Sequence, residues 1–185
     1  LDSLTQPLRS PKMKHLTLIR HAKSSWDHPA LSDHDRPLAP RGLAAAPAIG
    51  EALAARFAAS PGRPAPDCFV TSSACRARET ARLILPLLGA DPGEDLLEDS
   101  ELYGASESEI IACATGRDES CEHAVLFGHN PGFHWVCSTI DPRFQVAKYP
   151  TCAVASFDLD IDHWGSLHPG AGKNVFFLRP SDLLD

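Results

Sequence analysis

His15-Leu16-Thr17-Leu18-Ile19-Arg20-His21 is the stretch on which the fold turns. Its first five residues read as a short buried strand. The run then stops abruptly at a guanidinium and an imidazole, so whatever the strand builds, its carboxyl end carries charge.

Working outward, Ser24 to Arg41 is rich in Pro, Asp, His and Ser without a sustained period, which marks a surface loop. Long loops in compact domains are often functional. From Leu43 to Ala59, Ile49, Leu53 and Phe57 recur every four positions and predict a helix with one buried face. Pro47 suits only its first turn or a kink. Pro61 to Pro66 ends that helix, and Cys68 to Val70 predicts a second strand that breaks at Thr71, Ser72 and Ser73. The helix expected next buries Leu83, Ile84, Leu87 and Leu88, with Pro86 ending or bending it. Ser106 and Glu109 have the spacing of a capping box, so a helix begins there. Ala124 to Phe127 is the third predicted strand and runs into Gly128-His129-Asn130-Pro131-Gly132, after which Phe133 to Ile140 predicts a short helix. Cys152 to Leu159 and Asn174 to Leu178 read as late strands separated by the turn-rich segment 160–173.

Strands alternating with helices predict an α/β architecture, a mainly parallel central sheet flanked by helices. In such sheets ligands bind beyond the carboxyl ends of the strands. Three apolar runs end in Arg20-His21, in Ser72-Ser73 leading to Arg76, and in His129-Asn130. If those strands are neighbours, the three ends form one pocket.

Composition narrows the partners. The chain has 185 residues and 43% hydrophobic content, enough for one sizeable core and little more. Seventeen Lys and Arg against 24 Asp and Glu leave no broad basic field for nucleic acid or an anionic membrane. Positive charge at a phosphate site must therefore be local. Six cysteines without CxxC spacing point to reduced thiols rather than to a disulfide framework or structural zinc. No apolar run approaches the roughly 18 residues of a membrane span, and no secretion-type leader is evident. The expected setting is soluble and cytoplasmic.

Two arginines and two histidines gathered at strand ends suit a phosphoryl group. A guanidinium grips two phosphate oxygens in a planar fork and stays charged at any relevant pH. Each charge-assisted hydrogen bond contributes on the order of 1.5–3 kcal/mol, so Arg20 and Arg76 can hold the group without a metal or other cofactor. Nearby guanidinium charge pushes an imidazole below its ordinary pKa of about 6.5, keeping a nucleophilic lone pair free. On chemistry alone either His21 or His129 fits that role, and the other, if protonated, stabilises charge on the equatorial oxygens.

Four segments carry a resemblance. Leu18-Ile19-Arg20-His21-Ala22-Lys23 resembles the "RHG" signature of the histidine phosphatase superfamily, with Ala22 at the usual glycine. Arg36-Pro37-Leu38, followed by Arg41-Gly42, is similar to the "RPL…G" segment of its short members. The run from Ser72 to Ala81 resembles the segment supplying the second phosphate-binding arginine, which falls on Arg76. Gly128 to Gly132 resembles the segment with the second catalytic histidine, which falls on His129. The ordered set spans Leu16 to Gly132, and the RHAKS and HNPG wording is similar to short SixA-type phosphohistidine phosphatases. The resemblance implies a phosphoglycerate mutase-like three-layer sandwich, transient phosphorylation of His21, and phosphate binding by Arg20, His21, Arg76 and His129. Met13, the only methionine, stands directly before the first apolar run, so 1–12 is expected to be an N-terminal extension or cloning remnant and 13–185 one histidine phosphatase domain.

Relatives that cleave esters insert a carboxylic acid to protonate the leaving alkoxide. Here the connection after the Arg76 helix is short, and Glu101, before Leu102-Tyr103-Gly104, is the one candidate acid. An imidazole leaving group needs less help, which favours protein phosphohistidine as substrate. The alternatives are a phosphatase of a small ester, such as a sugar or nucleotide phosphate, or an inactive phosphate-binding module. Other polar residues have plainer readings: Arg78 as a solvated helix residue, Lys23 at the pocket mouth or in water, and His28, Asp33, His34 and Asp35 as a polar loop rather than a metal cluster. Trp26, Trp135 and Trp164 read as packing residues.

Overall fold

The computed structural model describes residues 13–183; the extension expected over 1–12 lies outside them. At its centre is β1, Lys14–Arg20. Every residue of β1 but the last is buried, because both faces of the strand are covered. Side chains alternate across it: Leu16 and Leu18 enter the larger apolar cluster, Ile19 the other.

The remaining strands are β2 (Cys68–Ser72), β3 (Leu96–Asp99), β4 (His123–Gly128), β5 (Val154–Leu159) and β6 (Gly172–Leu178). They form one sheet in the order β3-β2-β4-β1-β5-β6. The first four in that order run parallel, and β5 and β6 add antiparallel to β1. Helices α1 (Pro40–Ala58) and α2 (Cys75–Ile84) cover one face, their Ile49, Leu53, Ala81 and Ile84 packed with Phe69, Val125 and Phe127. Helices α3 (Glu107–Thr115) and α4 (Gly132–Ile140) cover the other, burying Ile110, Phe133, Val136 and Ile140 with Leu126 and Trp164. The predicted capping box is present: Ser106 accepts from the Glu109 amide, and the Glu109 carboxylate accepts from the Ser106 amide. The α/β three-layer expectation is met.

Register builds the site. Arg20 pairs with Gly128, so His21 and His129 leave β1 and β4 side by side. Thr71 pairs with Phe127, which sets Ser72 at the same level on the far side of β4. Two glycines permit close approaches at this end. A Cβ on Gly42 would run into the Lys23 carbonyl, where α1 lies against the chain leaving β1. On Gly128 it would come within 2.6 Å of the Phe133 ring.

Several expectations need correction. Ahead of the strand predicted third lies an unpredicted one, β3, formed by Leu96-Leu97-Glu98-Asp99. It is a four-residue edge strand with Leu97 and Glu98 exposed, so burial leaves no apolar run to read. Pro47 lies inside α1, not in its first turn, since the helix starts on Pro40. The carbonyl deprived of an amide belongs to Leu43, itself 49% exposed, where water can take it. Leu87 is exposed and Leu85 buried, because α2 passes into a 3-10 turn over Leu85–Leu88 that shifts the buried face. β5 begins at Val154, since Cys152 takes a left-handed φ of 61° and sends its amide to the carbonyls of Arg20 and His21. Trp26 and Trp135 are exposed at 70% and 55%; only Trp164 packs in the core. Arg78 is half-buried beside Glu98 of β3 rather than solvated.

Candidate active site

His21 is 8% exposed and held on both sides. Its amide donates to the Gly128 carbonyl at 2.9 Å. Its Nδ1 donates to the Ala22 carbonyl at 2.7 Å, and because a carbonyl only accepts, Nδ1 carries the proton and Nε2 the lone pair. Burial, reinforced by the charges of His129, Arg76 and Arg20, pushes the His21 pKa down to about 3 against the opposing hydrogen bond to Ala22. The ring is therefore neutral near pH 7. The Ala22 amide donates to Thr80 Oγ1 (2.9 Å), which donates in turn to the Arg76 carbonyl (2.6 Å), tying the end of β1 to the first turns of α2.

His129, also 8% exposed, lies with its ring centre 5.0 Å from that of His21. Its Nε2 is 2.8 Å from Ser72 Oγ. Ser72 Oγ also receives the Ala74 amide at 3.3 Å and keeps both a lone pair and a proton, so it can give a proton to Nε2 or take one from it. Burial first, then the charges of Arg76 and Arg20, lower the His129 pKa to about 4, with Asp33 acting in the opposite direction.

Arg20 is anchored from behind, Nη1 donating to the Tyr149 carbonyl at 2.7 Å. Asn130 Nδ2 donates to the same oxygen at 2.9 Å, and Tyr149, itself buried, donates its hydroxyl to the Leu18 carbonyl at 2.7 Å. Arg20 Nε is buried with no hydrogen-bond partner within the described residues. A buried donor left unpaired costs about 1–3 kcal/mol, which an anion at this spot would recover. Arg76, 7% exposed, reaches from the first turn of α2. Its Nη1 donates to the Asp33 carbonyl and its Nη2 to the Asp33 carboxylate at 3.0 Å.

Of the five residues expected at the site, Arg20, His21, His129 and Arg76 thus come together from two adjacent strand ends and one helix start. Glu101 does not join them. It is exposed in a 3-10 turn over Ser100–Leu102, and its carboxylate makes no hydrogen bond or ion pair among the described residues. The carboxylate present is Asp33, from the 24–41 loop, which had only the reading of a polar loop residue. Tyr103, two residues past Glu101, donates its hydroxyl to Asp33 at 2.9 Å and sets its ring edge against His129, centres 5.7 Å apart. The loop is fastened by Arg36, whose guanidinium bonds Ser24, Ser25 and Asp33 under the Trp26 ring, 3.4 Å from its centre. The roles of Asp33, Tyr103 and Ser72 had no signal beyond residue type, because each depends on a contact more than 50 residues away or, for Asp33, on one 43 residues away.

The histidine phosphatase superfamily (branch 1) family model matches residues 16–102, a span that includes Arg20, His21 and Arg76. An uncharacterized protein of Mycobacterium tuberculosis is 31% identical over 171 residues, 88% of this chain and 99% of that one. Among solved structures, the protein histidine phosphatase SixA complexed with tungstate superposes with a TM-score of 0.74 at 20% identity, covering 91% of this chain and 99% of that one. The mycobacterial glucosyl-3-phosphoglycerate phosphatase complexed with VO3 gives 0.59 at 14% identity, covering 88% and 98%. With the pocket assembled from its sequence segments and the fold shared along nearly its whole length, the chain belongs to the histidine phosphatase superfamily and is SixA-like in fold.

Proposed function

We propose that this chain is a phosphatase working through a phosphohistidine on His21, with protein phosphohistidine as its substrate. One observation carries the reading: Nδ1 of His21 is committed to the Ala22 carbonyl, so the lone pair sits on Nε2 in a neutral ring beside His129 and the two guanidinium groups. Nε2 attacks phosphorus, the bond from phosphorus to the leaving group breaks, and the phosphoryl group passes to His21. Water then attacks the same phosphorus, the P–Nε2 bond breaks, and inorganic phosphate leaves with His21 neutral again. Arg20 and Arg76 bear the charge on the equatorial oxygens, a part that a metal ion plays in other phosphoryl-transfer sites. His129 is the remaining polar side chain beside the phosphoryl group.

The substrate class follows from the leaving group. A phosphohistidine protonated on its free ring nitrogen expels neutral imidazole and asks no proton of the protein, whereas an alkyl ester expels an alkoxide and does. The carboxylate at the site, Asp33, is held below the usual carboxylate range: burial alone would raise it, but the Tyr103 and Arg76 hydrogen bonds and the Arg76 and Arg36 charges prevail. It is a poor acid at neutral pH. Likeness in fold to a sugar-phosphate phosphatase keeps small esters as the second reading.

Rapid quench under alkaline conditions followed by mass spectrometry should find phosphate on His21 during turnover of phosphohistidine protein, and His21→Ala should lose at least about a thousandfold in kcat. Turnover without phosphate on His21, or surviving in His21→Ala, overturns the mechanism. Wild-type kcat/KM values for phosphohistidine protein against sugar and nucleotide phosphates separate the substrate readings: esters turned over at least as fast as the protein would make small esters the substrates.

A further inference from the structure

In the proposed mechanism the buried His21, Arg76 and His129, together with Arg20, hold the phosphoryl group; the exposed Asp33 and Tyr103 are what the rest of a substrate meets. We infer that Asp33 is a specificity residue that selects phosphoryl donors by the charge beside the scissile bond, favouring cationic surroundings and rejecting anionic ones. The inference rests on the reading that the pocket takes a phosphoryl group.

Asp33 is fixed rather than mobile in its role. Its carboxylate accepts from Arg76 Nη2 at 3.0 Å, Tyr103 Oη at 2.9 Å and Arg36 Nη1 at 3.0 Å, and its carbonyl accepts from Arg76 Nη1. A guanidinium has five N–H donors, and Asp33 takes two of those of Arg76. Three remain for phosphate oxygens, so Asp33 has no need to leave when the phosphoryl group arrives. The flanks of the loop are tied as well: the Cys75 amide donates to the His34 carbonyl at 2.9 Å, and His34 Nε2 bonds Ser73 Oγ at 2.9 Å.

The side chain of Asp33 is nevertheless 53% exposed, while those of Arg36 and Arg76 beneath it are 9% and 8%. The anion thus faces the mouth and its two cations face inward. Once Arg76 is engaged by a phosphoryl dianion, the charge left facing the leaving group is that of Asp33, offset from behind by Arg36. A protonated imidazole, such as that of phosphohistidine, sits well against it; a carboxylate on the leaving group does not. Removing one charge about 6 Å away, at an effective dielectric of about 40, changes the preference roughly tenfold for each sign of substrate.

The test uses two donors of similar size and opposite charge, O-phosphoethanolamine and 2-phosphoglycolate. The wild-type kcat/KM should favour phosphoethanolamine. Asp33→Asn should shift the ratio toward phosphoglycolate by about a hundredfold, the product of a roughly tenfold gain and a roughly tenfold loss, and Asp33→Glu should restore the wild-type ratio. A ratio left unchanged in Asp33→Asn, both donors losing alike, would mean that Asp33 only supports Arg76 and would overturn the inference. The same ratio is read without turnover from dissociation constants of both compounds with His21→Ala. A phosphatase reading that fails therefore shows as no turnover with wild type, separately from a charge preference that fails.

Discussion

His21 and His129 face one another with ring centres 5.0 Å apart because Arg20 of one parallel strand is in register with Gly128 of the next. Two imidazoles so close, both buried and near two guanidinium groups, cannot both hold protons cheaply. With pKa values lowered to about 3 and about 4, the pair is neutral in the free protein near pH 7.

Acid stability follows from the same arrangement. His21 and His129 are lowered to about 3 and about 4, and His123, buried at the opposite end of β4 and lowered chiefly by burial and then by Arg63, to about 3. Each takes its proton only on unfolding, so between roughly pH 6.5 and pH 4 the unfolded chain binds more protons and stability falls as the pH is lowered. Each contributes a slope of up to about 1.4 kcal/mol per pH unit. Urea midpoints measured from pH 7 to pH 5 should fall, and His123→Gln should flatten the dependence by about a third without altering turnover. A midpoint independent of pH across that window would refute the assignment of neutral buried rings.

Arg76→Lys keeps the charge and loses the fork. The three donors of an ammonium cannot serve Asp33 and two phosphate oxygens in one plane. At on the order of 1.5–3 kcal/mol for each charge-assisted bond lost, kcat/KM should fall by roughly 10- to 150-fold while the circular dichroism spectrum stays that of wild type. Activity within about twofold of wild type would remove Arg76 from the site.

Tyr149 acts on the site through its backbone and on the fold through its ring. Tyr149→Phe deletes the hydroxyl bond to the Leu18 carbonyl but leaves the carbonyl that holds Arg20. The expected cost is about 1–2 kcal/mol, lowering Tm by roughly 2–8 °C, with kcat/KM within about threefold of wild type. A large loss of activity at unchanged Tm would reverse the assignment.

Local sequence determined a good deal. Continuous apolar runs marked β1, β2 and β4, whose burial on both faces removes alternation, and the charges that ended two of those runs marked the site end of the sheet. Arg20, His21, Arg76 and His129 were legible because each follows a strand end or opens a helix. Strand order and register were decided only in three dimensions: nothing local says that β1 lies beside β4, yet that pairing alone sets two imidazoles together. The same holds for the exposed edge strand β3, which carries no apolar signal. It holds most for the carboxylate at the mouth. Glu101 and Asp33 are each an acid in a polar stretch, and only tertiary packing, which sends Asp33 onto Arg76 and leaves Glu101 in solvent, tells them apart. A carboxylate acquires its role from the charges around it, and those come from parts of the chain that meet only after folding.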